Sequence, residues 1–417
     1  MLRGYTVPIV DFSEEKERQT VVDKEEGLYI GHPTTVLLDD GKTIVAVYPK
    51  NHGYGQIVLK KSFDGGKTWS ERLPVPPSFS TSLETPTIYK VYDKNGKRRL
   101  ILFSGLYPIR MSVSEDDGDT WSELAPIGEY GGIVAMGDIC RIGPGEYFAL
   151  FHDDGRFIRG GNYEKRTVYK TGDGAETRTK LTHSFSSDGG KTWSEERDSW
   201  VKTLEKDGDR WEKIYSVTSG KVTGRIKLYQ VESHDGGLTW SEPRCICTHE
   251  ECDLCEPAVI RSPDRKELCA VMRENAKKKN SHAIFSSDNG KTWSEPVEIQ
   301  GALTGDRHCA RYLKDGRLFI SFRDTCLDSP TWGDWCAWLG DYDDIKSGKE
   351  GLCRIRIMKN YKNGDCAYPG VEILPDGTVV TTTYGHFTEG EEAYVVSVRI
   401  HPDEIYEKMN KKCFLKY

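Results

Sequence analysis

Ser62-Phe63-Asp64-Gly65-Gly66-Lys67-Thr68-Trp69 decides how this chain is read, because its skeleton, Ser-x-Asp-Gly-Gly-x-Thr-Trp, comes back four more times. The returns are Ser114–Trp121 (SEDDGDTW), Ser186–Trp193 (SSDGGKTW), Ser233–Trp240 (SHDGGLTW) and Ser286–Trp293 (SSDNGKTW). Each residue type suits a tight hairpin turn. The Asp carboxylate accepts backbone N–H bonds, the glycines adopt positive φ, and the Trp covers the apolar side. A turn that recurs five times is scaffold, whereas an active site occurs once, so these aspartates are read as structural.

Successive octapeptides start 52, 72, 47 and 53 residues apart. A period near 50 fits a β-propeller built blade by blade, one four-stranded sheet per repeat, rather than a helical solenoid. Six stretches have the form of an inner strand: a polar start, an apolar run, a turn and a second apolar run. They open at His32-Pro33, Glu84-Thr85-Pro86, Asp138, Glu256-Pro257, Arg307-His308-Cys309 and Tyr368-Pro369. Six starts predict six blades in an all-β fold. The rhythm breaks in the third blade region, where residues 156–224 read as an insertion with its own hairpin; a seventh blade is the competing reading. Ile405, Met409 and Cys413 in the tail 401–417 have helical spacing and predict a short closing helix. The expectation is one propeller domain over 1–417.

Composition sets bounds. A hydrophobic content of 37% with 42 Gly, 21 Tyr and 10 Trp suits many short strands and turns and is far from that of a disordered chain. A net charge of −7 without long charged runs argues against nucleic acid or an anionic membrane as partner. There is no apolar run long enough to span a bilayer and no secretory leader pattern in the first twenty residues. With 12 cysteines in a chain of this size, reduced thiols and a cytoplasmic location are expected. Cys245, Cys247, His249, Cys252 and Cys255 have soft-metal spacing, but the pairs match no standard knuckle, so the preferred reading is buried thiols with no metal. Lys277-Lys278-Lys279 reads as a solvated loop.

Ser-x-Asp-x-Gly-x-Thr-Trp is the Asp-box, or BNR repeat, that marks the sialidase (neuraminidase) superfamily, and the chain resembles that family over nearly its whole length. In a propeller the inner strands run in one sense, so their equivalent ends ring one mouth of the central channel. That mouth is expected to hold His32, Glu84, Asp138, Glu256, Arg307, His308 and Tyr368, with Arg273 and Arg323 from neighbouring strand ends. The segment Ala367–Tyr384 (AYPGVEILPDGTVVTTTY) looks like the family's segment that carries the nucleophilic tyrosine, which places Tyr368 in that role. The resemblance further implies Glu256 as its base, with Arg273 and Arg323 as two of the three arginines that grip a substrate carboxylate. A phenol suits an anomeric centre beside a carboxylate, since a neutral nucleophile is not repelled.

The chain departs from the family at three places. The family's first arginine is replaced by the Gly31-His32-Pro33 sequence, and its carboxylate partner by Tyr384-Gly385-His386. The loop that carries the acid/base aspartate reads PKNHGYGQ, where His52 is the nearest proton-transfer group, with Asp138 and Glu84 as the other candidates. The resulting expectation is an exo-type glycoside hydrolase releasing a terminal acidic sugar without a cofactor. A degenerate glycan-binding propeller and an enzyme for a different sugar, such as a uronic acid, are the alternatives.

Overall fold

A computed structural model describes residues 4–158, 163–171, 178–186, 192–198, 211–220, 225–362 and 364–411. The middle of the third octapeptide and Cys413 lie outside them.

The strands form six radial sheets and one additional sheet. The inner strands, Thr34–Leu37, Thr87–Tyr92, Ile133–Gly143, Leu254–Arg261, Gly305–Tyr312 and Gly370–Ile373, contact one another in sequence, and the last returns to the first. This is a closed ring of six blades, as the repeat predicts. The remaining sheet, Tyr163–Thr171, Arg178–Ser186, Arg197–Asp198 and Trp211–Gly220, is inserted between two strands of blade 3, Glu146–Asp153 and Lys227–Ser233. It pairs with no inner strand, so it is an insertion and not a seventh blade.

Blades 5 and 6 each gain a strand from the N-terminal segment. Ile9–Asp11 lies parallel to Cys353–Met358 in blade 5, and Gln19–Asp23 lies antiparallel to Tyr394–Ile400 in blade 6. Pro402–Asn410 is the expected tail helix, capped by His401 and Glu404 and buried at Ile405. Among the described residues, no helix is long and apolar enough to cross a membrane.

The core lies between blades rather than inside one sheet. Val45, Val47 and Leu59 of blade 1 pack on Ile88, Leu100 and Leu102 of blade 2, and Phe148 and Leu150 of blade 3 pack on Leu268 and Ala270 of blade 4. Second strands are buried on both faces, which is why Ile44–Pro49 and Leu318–Asp324 read as almost unbroken apolar runs.

The four octapeptides whose turns lie among the described residues share one construction. Asp64 Oδ1 accepts from the amides of Lys67 (3.0 Å) and Thr68 (2.9 Å), its Oδ2 accepts from the Thr68 hydroxyl (2.7 Å), and Ser62 Oγ accepts from the Gly66 amide (2.7 Å). The Thr-to-Asp and Gly-to-Ser bonds recur at Asp116, Asp235 and Asp288. Each of these four turns packs on the preceding blade. At Gly66, with φ +81°, an added Cβ would meet Val380 of blade 6 at 2.7 Å, so the position demands glycine both for backbone angle and for space.

One irregularity positions the mouth. In blade 4, Cys255 pairs with Arg273 but Ala258 pairs with Val271, so one extra residue bulges out; in blade 5, Asp306 pairs with Arg323 and Cys309 with Ser321 in the same way. Blades 1 and 6 repeat it between the Ile30–Lys50 bridge and Thr34, and between the Cys366–Gly385 bridge and Gly370. A non-glycine residue with positive φ stands at each bulge: His32 (58°), Glu256 (50°), Arg307 (54°) and Ala367 (57°). Such conformers cost about 1–3 kcal/mol each and re-aim a side chain out of the sheet alternation. Four strained bulges thus stand at equivalent places around this end of the ring.

Candidate active site

The bulge before Gly370–Ile373 delivers Tyr368 to the channel mouth, and the bulge in blade 4 delivers Glu256 against it. The Tyr368 hydroxyl donates a short bond to Glu256 Oε1. The same oxygen accepts from Arg273 Nη1 at 3.1 Å, while Glu256 Oε2 is buried with no hydrogen-bond partner. Burial works to raise the Glu256 pKa, but Arg273, the Tyr368 hydroxyl and Arg307 outweigh it and hold the carboxyl below its usual range. Burial, reinforced by the Glu256 charge, pushes the Tyr368 phenol well above its usual value. The resting proton therefore sits on the phenol, within a bond of an ionised base.

Asp306 is a carboxylate that sequence reading missed. It is fully buried, its Oδ2 accepts from Arg323 Nε (3.0 Å) and Nη2 (2.7 Å), and its Oδ1 lies 3.2 Å from Arg273 Nε. Arg323 also donates through Nη1 to the carbonyls of Gly364 (2.7 Å) and Cys366 (3.3 Å). Every nitrogen of Arg323 is thus engaged by the protein, so it does not stand open as a carboxylate grip. Arg273 is more accessible, with 15% of its side chain exposed. Lys277 does not simply extend into solvent: its Nζ approaches Asp306 Oδ2 at 3.7 Å and sits over the ring of Trp332, 45% exposed at the rim.

His32 stands beside Tyr368. Its ring lies 4.6 Å from that of Tyr368 and stacks at 4.4 Å on that of Tyr384, whose hydroxyl meets its Nε2 at 3.2 Å. Burial, with the nearby His52 and Arg323, depresses its pKa and keeps it neutral. Behind it, Asp365 Oδ1 accepts from the hydroxyls of Tyr29 (2.8 Å) and Tyr384 (3.3 Å), and Oδ2 faces His386 Nε2 at 3.2 Å. His52 comes from the loop predicted to hold the acid/base. Its side chain is 64% exposed, its ring is 4.7 Å from that of His32, and its Nε2 is 3.7 Å from Asp365.

Glu84 accepts weakly from the amides of Thr85 (3.3 Å) and Val134 (3.4 Å), and burial raises its pKa to about 7. His152, also unforeseen, receives the Glu256 amide at 3.4 Å and is pushed down to about 4 by burial. Two expected members lie elsewhere. Asp138 accepts from the Val259 amide at 2.8 Å and lines the central cavity of about 550 Å³ together with Arg311 and Glu372. His308 bonds the Leu303 carbonyl at 2.9 Å and packs on Phe322. Arg307 lies between the two regions: Nη1 donates to the Gly137 carbonyl at 2.9 Å and its guanidinium is 5.8 Å from the Tyr368 ring centroid.

Comparison with known proteins agrees with the architecture. The family described as BNR repeat-like domain matches residues 168–325. A protein of unknown function from Dyadobacter fermentans superposes with a TM-score of 0.59 at 15% identity, over 92% of this chain and 97% of that one. The NanB sialidase of Streptococcus pneumoniae follows at TM-score 0.49 and 14% identity, over 94% and 73%. The Trypanosoma rangeli sialidase gives 0.46 and 13%, over 97% and 62%. No curated protein matches the chain. The chain is a six-bladed β-propeller, and its residues 168–325 match the BNR repeat-like domain family.

Proposed function

We propose that this protein is a retaining exo-glycoside hydrolase whose nucleophile is Tyr368, and the observation that carries the reading is the phenol donating to the buried, ionised Glu256. As the Tyr368 oxygen attacks the anomeric carbon, its proton passes to Glu256 and the glycosidic C–O bond breaks. The departing oxygen takes a proton from His52, which Asp365 orients. In the second half, His52 draws a proton from water, the water oxygen displaces Tyr368 from the anomeric carbon, and Glu256 returns the proton to the phenol. Arg273 and Lys277 hold an acidic group on the terminal sugar, and Trp332 offers a face for its ring. Because Arg323 is spent on Asp306, the grip is weaker than three open arginines, which favours an acidic sugar other than one selected by an arginine triad.

A panel of fluorogenic glycosides of sialic acid, deoxy-keto acids, hexuronates and neutral sugars tests the reading. Turnover of an acidic glycoside that disappears in Glu256→Gln, and that falls in His52→Ala for leaving groups that need protonation, supports it. The closed Arg323–Asp306 pair also favours a second reading, a glycan-binding propeller without turnover. That reading holds if no glycoside is cleaved and Tyr368→Phe alters only affinity.

A further inference from the structure

The loop joining blades 3 and 4 leaves the strand Arg244–Cys247 and enters the strand Leu254–Arg261, carrying His249 and Cys252 across the edge of blade 4. There it meets His282, the first residue of the strand His282–Ser286. One ring nitrogen of His249, one of His282 and Cys252 Sγ all lie within 4.8 Å of one another, the only such group of three metal-ligating side chains among the described residues. The imidazole centroids are 5.5 Å apart at 74°. Cys252 and His282 are almost wholly buried, and Cys252 is a thiol outside any disulfide.

The chemistry of each group fits an ion. His282 Nδ1 lies 2.9 Å from the Asn280 carbonyl, so it carries the proton and donates it, leaving the Nε2 lone pair free. A backbone carbonyl on the far nitrogen is the arrangement that orients metal-bound imidazoles. Asn280 is itself fixed, its amide donating to Glu298 at 2.9 Å and its side chain to the Ile299 carbonyl at 3.1 Å. His249 is held differently: its Nδ1 accepts from the amides of Glu251 and Cys252, each at 3.0 Å. With Nδ1 engaged by the two amides, His249 carries its proton on Nε2; ligation through Nε2 releases that proton and keeps the turn, whereas ligation through Nδ1 takes the lone pair from the amides.

We infer that His249, Cys252 and His282 form a zinc site that staples the linker between blades 3 and 4 to the third strand of blade 4. Two imidazoles and a thiolate suit Zn²⁺, a borderline-soft ion that takes four ligands, and water completes the set. Tetrahedral Zn–S and Zn–N bonds of about 2.3 and 2.0 Å separate ligand atoms by roughly 3.5 Å, so closure takes movements of about an ångström. Binding releases the Cys252 thiol proton. The site is distinct from the Tyr368 mouth and does not rest on the glycosidase reading.

The test is metal content. The full chain, incubated with zinc chloride and desalted, is expected to retain stoichiometric zinc. The cobalt-substituted form is expected to show a thiolate-to-cobalt charge-transfer band and the intense visible bands of a tetrahedral centre. Losing even an outer-shell partner weakens metal sites by about 10–100-fold, so Cys252→Ser and His282→Ala should each weaken zinc binding by more than that, while Cys245→Ser should not. Far-ultraviolet circular dichroism of the metal-free variants separates lost ligation from lost folding. A parent protein that retains no zinc overturns the inference, and so does zinc retention indifferent to both Cys252→Ser and His282→Ala.

Discussion

Arg323 makes two bonds to Asp306 Oδ2, through Nε at 3.0 Å and Nη2 at 2.7 Å, and the two residues face each other directly across the hairpin of blade 5. Asp306 is the buried countercharge for Arg323, Arg273 and Lys277 together. Removing one member of a buried ionic group leaves the others uncompensated and costs about 3–5 kcal/mol. Asp306→Asn is therefore expected to lower the unfolding free energy from urea titration by that much, and an unchanged midpoint would contradict the burial of Asp306.

Tyr368→Phe removes one oxygen from a packed ring. Folding should survive, with glycoside turnover falling steeply while ligand binding persists. A fluorinated sugar substrate should label Tyr368 in the parent protein, as read by peptide mass spectrometry; a label on another side chain would displace it as nucleophile.

Trp332 is exposed at the rim beside Lys277 and has no core role. Trp332→Ala should raise KM by up to about tenfold with kcat nearly unchanged, the loss appropriate to one aromatic contact of about 1 kcal/mol. A fall in kcat with constant KM would remove it from sugar binding.

Burial raises the Glu84 pKa to about 7. A carboxyl whose folded pKa is raised contributes stability that is complete at low pH, below its unfolded pKa, and is lost as pH climbs through the folded value. Glu84→Gln removes this dependence. Calorimetric melting at pH about 5 and about 8 should show the variant gaining on the parent at the higher pH. The buried, neutral His152, depressed to about 4, acts in the opposite direction: the parent loses stability as pH falls from about 6.5 toward that value.

Asp64→Ala deletes the acceptor for three bonds in the first repeated turn. The expected loss is roughly 1–3 kcal/mol of stability with catalysis intact. Reduced activity at unchanged melting temperature would overturn the assignment of these aspartates to the scaffold.

The six-bladed ring was legible in the sequence because a turn repeated with one skeleton fixes both period and strand direction. Tyr368, Glu256 and Arg273 were legible for the same reason, since the strand ends that the repeat aligns do converge. Asp306 was not: it stands one residue ahead of the Arg307 strand start, and only pairing across the hairpin shows that it meets Arg323. Asp138 illustrates the reverse, since a register irregularity between Ile133 and Asp138 places it on the channel wall. Tyr384 and His386 registered in the sequence as departures from a motif, whereas in three dimensions they and Tyr29 gather around Asp365.

Blade 6 joins the strand Gly370–Ile373, just after Tyr368, to a sheet whose outer strand is Gln19–Asp23. Gln19–Asp23, made early, thus waits for a strand made near the end. During synthesis the first blades can accumulate while Gln19–Asp23 has no partner, and the mouth that joins Tyr368 to Glu256 exists only once ring closure is complete. A ribosome-bound chain halted before Tyr394–Ile400 should carry Glu256 and Tyr368 in one polypeptide yet leave the circle open, so the pairing of these two residues and the completion of the circle arrive together.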